Sequence, residues 1–153
     1  MERELAIALF FLPKLTVSLF CGILVGWDRE RGHKDAGIKD LVFFSTGVTL
    51  FTALAFWIHA TMPVTDPTRI LGQVITGLGF IGAGVIFKHD DKIRGITTAT
   101  MIWFCSAVGM MVGYGLYLLP VILAIGTVIL SFVLDIIEDL LKKDGASRDR
   151  DSR

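Results

Sequence analysis

The stretch GLGFIGAG, residues 77–84, decides how this chain is read. Gly77, Gly79 and Gly82 satisfy G-x-G-x-x-G, the pattern of a dinucleotide-binding turn. Such a turn needs a preceding strand, a soluble βαβ unit and an acidic residue about 20 positions on. None of these surrounds it: the motif lies inside an 18-residue apolar run, 70–87, and the neighbourhood of position 102 reads TMIWF. The run has helical order instead. Gly72, Thr76, Gly79 and Ala83 fall on one stripe of small residues, and Val74, Leu78, Ile81 and Val85 fall on a bulky one. In a bilayer, small stripes let helix backbones approach closely, since packing must replace the hydrophobic driving force. The glycines are therefore read as helix-packing positions, and the run as a transmembrane span.

The rest of the chain agrees with that reading. Of 153 residues, 53% are hydrophobic, and long apolar runs alternate with short charged connectors. The mean hydropathy is +0.65, too apolar for an ordinary soluble domain of this length. Spans are expected over 5–27, 41–60, 70–87, 96–113 and 117–137. The last two form a nearly unbroken run of 39 residues from Ile96 to Leu134, about twice what one crossing needs. Gly113, Gly115 and Pro120 offer the turn. The first span is imperfect at Pro13-Lys14. Either residues 5–12 complete the crossing at a kink, which is favoured, or they lie along the interface while Lys14 snorkels.

The fold class is thus all-α: a polytopic helical membrane protein with about five transmembrane helices. Lys and Arg set its orientation. Twelve of them fall in the connectors 28–40 and 88–95 and in the tail, whereas only Arg3 and Arg69 lie on the other side. The N-terminus is expected outside and the C-terminus in the cytoplasm. Residues 1–137 make the membrane domain. Residues 138–153 make a short, largely disordered tail with no room for a soluble second domain. The opening Met-Glu-Arg-Glu argues against a cleavable signal peptide, so the first segment is expected to be retained.

Packing devices recur. Gly22 and Gly26 make a GxxxG at the inner end of the first span, and Gly109 and Gly113 another in the fourth. Gly82 and Gly84 add to the small residues of the third. Cys21 and Cys105 fall in apolar runs and read as buried small hydrophobes. His33, His59 and His89 are isolated without metal-ligand spacing, and Asp90-Asp91 reads as a solvated loop pair. No cofactor, metal site or nucleic-acid interface is expected.

Three quoted segments bear a common resemblance: GWDRERGHKDAGIKD (26–40), DPTRILGQVITGLGFIGAGVIFK (66–88) and IRGITTATMIWFCSAVGMMVGYGLY (93–117). In order and spacing they are similar to the MgtC/SapB family of bacterial inner-membrane proteins, from about Leu15 to Leu134. The family usually has Glu where Asp28 stands. Longer members carry a cytoplasmic C-terminal domain, so the likeness is to the short, membrane-only form. The resemblance implies adaptation to low magnesium or related stress and, in some pathogens, survival inside macrophages. It implies action on membrane partners such as the F-type ATP synthase.

Candidate functional polar residues follow, each beside a plainer reading. Asp28, Arg29, Glu30 and Arg31 cluster where the first span ends, as a solvated helix end or as a polar site matching the family at Gly26, Arg29 and Glu30. Asp66 reads as an N-cap with Pro67 at the first helical position. Arg69 resembles the family's Arg there. Gln73, one turn deeper, must find a polar partner, as structural glue or as part of a path. Arg94, Thr97 and Thr98 open the fourth span, and Trp103 lies within it.

Three function classes compete. An enzyme is disfavoured, since no nucleophile–base pair or metal motif is visible. A carrier should show ionisable groups near the midplane and commonly an inverted repeat; here Lys14 is the intramembrane charge, and no carboxylate lies inside spans one to four. A regulator docking on other membrane proteins, self-associating through its small stripes, is the favoured reading, with magnesium or other ion transport as the alternative.

Overall fold

The computed structural model describes residues 1–89 and 91–151, with side chains for all of these except 3, 139 and 142–151. Its elements in chain order are α1 (Glu2–Arg31), α2 (Ile38–Thr61), α3 (Pro67–Val85), a hairpin of β1 (Phe87–His89) and β2 (Lys92–Arg94), α4 (Ile96–Tyr114) and α5 (Leu118–Asp151). Five helices are long and apolar enough to cross a membrane, over Glu4–Arg31, Ile38–Thr61, Pro67–Val85, Ile96–Tyr114 and Leu118–Glu138. The protein is therefore a multi-pass helical membrane protein. The expected disorder of the tail falls largely outside the residues whose side chains are described.

α1 runs unbroken through Pro13, so residues 5–12 continue the first helix. α4 and α5 separate at Gly115, whose φ of +116° closes α4 with N–H bonds to the carbonyls of Met111 and Val112. A left-handed residue at a helix end favours glycine, which has no Cβ to clash. Between α3 and α4 the charged connector folds into the hairpin rather than an open loop. Phe87 pairs with Arg94, Lys88 with Ile93 and His89 with Lys92. Lys88 meets Asp91 across the turn at 2.6 Å. Gly95, at φ +85°, lets the chain leave β2 against the Val85 carbonyl, where any Cβ would collide.

The core is a three-helix contact. α2 lies between α1 and α4. A Cβ on Gly22 would sit 2.8 Å from Val42 Cα, and one on Gly26 would sit 2.5 Å from Ile38 Cα. On the other side, Gly109 lies against the Ser45 carbonyl, and a Gly113 Cβ would sit 2.7 Å from the Thr49 carbonyl oxygen. Without side chains at these four places the helices touch backbone to backbone, as bilayer packing favours. Cys21, Val25, Leu41, Ile102, Cys105 and Val108 fill the remaining space.

α3 meets the bundle through large side chains more than through its small stripe. Its buried positions include Leu78 and Gly82, with Leu71, Val74 and Val85 half-buried beside them. A Cβ on Gly72, Gly77, Gly79 or Gly84 would meet nothing within 4 Å, and Ala83 is exposed. Val74, Leu78 and Val85 thus meet the chain's own bundle, whereas Gly72 and Gly79 are not packed and Gly79 and Ala83 border a shallow cleft towards α4. The arrangement has a packing cause: α3 lies on the flank of α2 and α4, where Leu78 and its neighbours must fill a gap that glycines would leave open.

Candidate functional site

The buried polar groups form a seam along the contact of α1, α2 and α4. At its centre, hydroxyls of α1 and α2 cluster against a carbonyl of α4. Ser18 Oγ and Ser45 Oγ are 2.8 Å apart, and Thr49 Oγ1 lies 2.8 Å from Ser18 Oγ. Thr49 Oγ1 is also 2.9 Å from the Gly109 carbonyl oxygen, which only the absent side chain of that glycine brings so near. Thr52 Oγ1 is buried nearby without a hydrogen-bond partner. Such interhelical bonds satisfy polar groups that lipid cannot.

A buried cation stands toward each end of the seam. Lys14 is 4% exposed; its Nζ donates to the Gly113 carbonyl at 3.1 Å and lies 4.8 Å from the Phe10 ring centroid and 5.8 Å from that of Tyr117. It caps the carbonyl end of α4, where the helix dipole favours positive charge. It does not reach outward: two ring faces and a carbonyl replace its water. Arg29 is 2% exposed; its Nη2 donates to Thr98 Oγ1 at 3.0 Å, and its Nε is buried without a partner. Asp28, Asp35 and Asp135 are near enough to act on its charge.

Thus the structure brings Arg29 and Thr98 together, joining the end of α1 to the first turn of α4. Glu30 serves another helix: its Oε2 accepts from the Ile38 N–H at 3.0 Å, while Asp40 Oδ2 accepts from Gly37 N–H at 3.2 Å. Both carboxylates satisfy donors at the start of α2 and suit its positive dipole end. Asp28 faces a cleft between α1 and α5. Lys34 ties the α1–α2 connector to α5 through Asp135 at 2.9 Å.

The other candidates lie apart from this seam. Asp66 accepts from the Thr68 N–H at 2.9 Å and the Thr68 hydroxyl at 2.7 Å, which hold its carboxyl below the ordinary range. Arg69 and Gln73 are exposed near the start of α3. Arg94 is on β2 and Thr97 on the first turn of α4, both exposed beyond the other end of α3. Arg94 therefore stands well apart from Arg69 and Gln73: about 24 Å of α3 runs from Arg69 to Val85, and about 18 Å from Gln73. Trp103, 53% exposed, lines a shallow cleft between α3 and α4 with Gly79, Gly82 and Ala83.

Ser18, Ser45, Thr49 and Thr52 carry no sequence motif. Their only signal is four small hydroxyls in apolar spans, two of them on the i, i+4 spacing of α2, and single hydroxyls in membrane helices commonly bond to their own backbone. Among the described residues, no group of three His, Cys, Asp or Glu side chains is placed to hold a metal ion.

Comparison with known proteins places this geometry. The MgtC family model matches residues 15–140. A putative magnesium transporter, YhiD, of Escherichia coli (strain K12) is 35% identical over 136 residues, 86% of this chain and 61% of that protein. Protein SapB of Bacillus subtilis (strain 168) is 35% identical over 112 residues, 69% of this chain and 48% of that protein. Protein MgtC of Brucella abortus (strain 2308) is 33% identical over 102 residues, 67% of this chain and 42% of that protein. The chain spans about half the length of the curated relatives it matches. No solved structure matches it significantly.

Proposed function

The chain belongs to the MgtC family, and on that premise we propose that it is a regulator in the bacterial inner membrane, acting on other membrane proteins when magnesium is scarce. One observation carries this reading: the interior contact of α1, α2 and α4 holds a buried cation toward each end, Lys14 and Arg29, with a cluster of bonded hydroxyls between them. Magnesium seeks oxygen ligands, usually carboxylates with retained waters. A divalent ion following the α1–α2–α4 seam would pass two fixed positive charges and backbone contacts with no spare width.

The reading makes the protein a binding partner rather than an enzyme. Their basic residues support a cytoplasmic position for the connectors 28–40 and 88–95. The small stripe of α3, Gly72, Thr76, Gly79 and Ala83, of which Gly72 and Gly79 meet nothing within the chain, supports self-association. The F-type ATP synthase is the membrane partner that the family resemblance supplies.

A second reading, transport of magnesium, is favoured by the name of the Escherichia coli relative. Its path would run between copies of the chain rather than through one. A cell experiment separates the two. A strain lacking its own copy should regain growth in low magnesium when given this chain, with its initial rate of magnesium uptake unchanged. Uptake that rises in proportion to expression would overturn the regulator.

A further inference from the structure

The cleft between α1 and α5 is about 620 Å³ in volume, within the range of small-molecule sites. It has two chemically distinct parts. Leu24, Val128, Ile129 and Phe132 wall it along the spans, and Asp28 and Arg31 lie at its mouth, where α1 leaves the apolar zone. Trp27, 56% exposed, stands beside the mouth, the depth at which amphipathic rings collect in bilayers. An apolar trough ending in charge at headgroup depth has the polarity of a phospholipid.

The charges narrow the class. Asp135 also reaches the mouth, but it is neutralised by Lys34 at 2.9 Å. Asp28 and Arg31 make no hydrogen bond and no ion pair within 4 Å among the described residues, with each other or with anything else; the buried Arg29, which Asp28 acts on from a distance, is engaged by Thr98. A carboxylate and a guanidinium three residues apart on one helix, both unpaired and lining one opening, form a mouth of zero net charge with separated signs. An anionic headgroup would gain Arg31 and meet Asp28. A zwitterionic one satisfies both: its phosphate takes the guanidinium, which suits such oxygens in a forked geometry, and its ammonium takes the carboxylate. A primary ammonium donates hydrogen bonds to Asp28, and a quaternary one has no N–H to donate.

We propose that the α1–α5 cleft is a binding site for an amine-bearing zwitterionic phospholipid, with Asp28 holding the ammonium, Arg31 the phosphate, and the trough from Leu24 to Phe132 one acyl chain. The site is distinct from the Arg29–Thr98 bond, which lies on the other side of α1 against α4.

The test uses the full chain, delipidated in detergent and titrated with dioleoyl phosphatidylethanolamine, the matching phosphatidylcholine or the matching phosphatidylglycerol. Retained lipid is counted by native mass spectrometry. Phosphatidylethanolamine should be retained over the other two by about fivefold, near the worth of one charge-assisted hydrogen bond at a partly wet site. Asp28→Asn should abolish the preference over phosphatidylcholine, and Arg31→Gln should weaken retention of both zwitterionic lipids. Trp103→Ala, on the α3–α4 cleft, should change nothing. Should Asp28→Asn fail to fold, Phe132→Ala takes its place and should lower retention of all three lipids without altering headgroup order. Equal retention of the three lipids by the wild-type chain overturns the proposal, as does a preference for phosphatidylglycerol. Either result would leave the cleft to a helix of another chain.

Discussion

Lys14 on α1 donates to the Gly113 carbonyl at the end of α4 at 3.1 Å, and fifteen residues further along α1, Arg29 reaches Thr98, fifteen residues back along α4. The two bonds fix one antiparallel register along about 22 Å of helix. A one-turn slip of either helix would break both and leave two cations buried without partners, a cost of several kcal/mol each. The pair thereby aligns α1 and α4 so that the glycines at 22, 26, 109 and 113 all meet α2.

Removing the Arg29 acceptor should therefore be more harmful than its single hydrogen bond implies. Thr98→Val is expected to lower stability by about 1–3 kcal/mol, since it leaves a second guanidinium nitrogen unsatisfied. Thr98→Ser should be close to wild type. Melting in detergent, followed by circular dichroism, checks the contrast; equal stability of the Val and Ser variants would show that the bond contributes nothing.

The glycines should divide into two sets. Gly26→Ala and Gly109→Ala place a methyl group into neighbouring backbone and should cost about 1–3 kcal/mol or more. Gly72→Ala and Gly79→Ala enter open space and should not lower the melting temperature, since alanine is the better helix former by up to about 1 kcal/mol. Gly79→Leu should keep the fold yet weaken self-association, read as loss of cysteine-free chemical cross-linking between copies in membranes. An intact dimer in Gly79→Leu would remove α3 from the interface.

Acid should loosen the start of α3. The two Thr68 donors hold Asp66 below its ordinary value. A carboxylate so depressed adds stability above its unfolded pKa and loses it as pH falls through the folded one. Hydrogen exchange at the first turn of α3 should thus quicken below about pH 4, and Asp66→Ala should be fast at every pH. A wild-type rate with no acid limb beyond the intrinsic one would deny the cap this role.

Topology has its own check. Reporters fused after Lys39, Lys92 and Lys143 should read cytoplasmic, and one near Pro63 external. An external signal after Lys143 would sink the proposed orientation.

The five spans were legible because apolar length and charged punctuation act over whole segments. Gly115 was legible as a turn because so long a run must break somewhere. The hairpin at Phe87–Arg94 was not, since three-residue strands rich in charge carry no period to read. The small stripe of α3 was legible as a packing device, but a stripe states that close packing is possible and not which neighbour supplies it: Gly72 and Gly79 meet nothing within 4 Å in this chain. Arg29 was legible as a candidate through its family position, but its partner Thr98 is fixed only by the register of α1 on α4. The hydroxyl cluster was hidden for the same reason: Ser18, Ser45 and Thr49 lie on two helices and close on a carbonyl of a third. Lys14 was visible as an oddity, yet the carbonyl and rings that hold it come from positions 10, 113 and 117.

Magnesium flux through the purified chain tests the central claim most directly. Liposomes loaded with a magnesium-sensitive dye and carrying the protein should respond to an imposed gradient no faster than empty liposomes, because the seam is closed by Ser18, Ser45 and Thr49 and guarded by Lys14 and Arg29. Flux above that background, abolished by Arg69→Ala or Gln73→Ala, would contradict the regulator and make the start of α3 the entrance of a path.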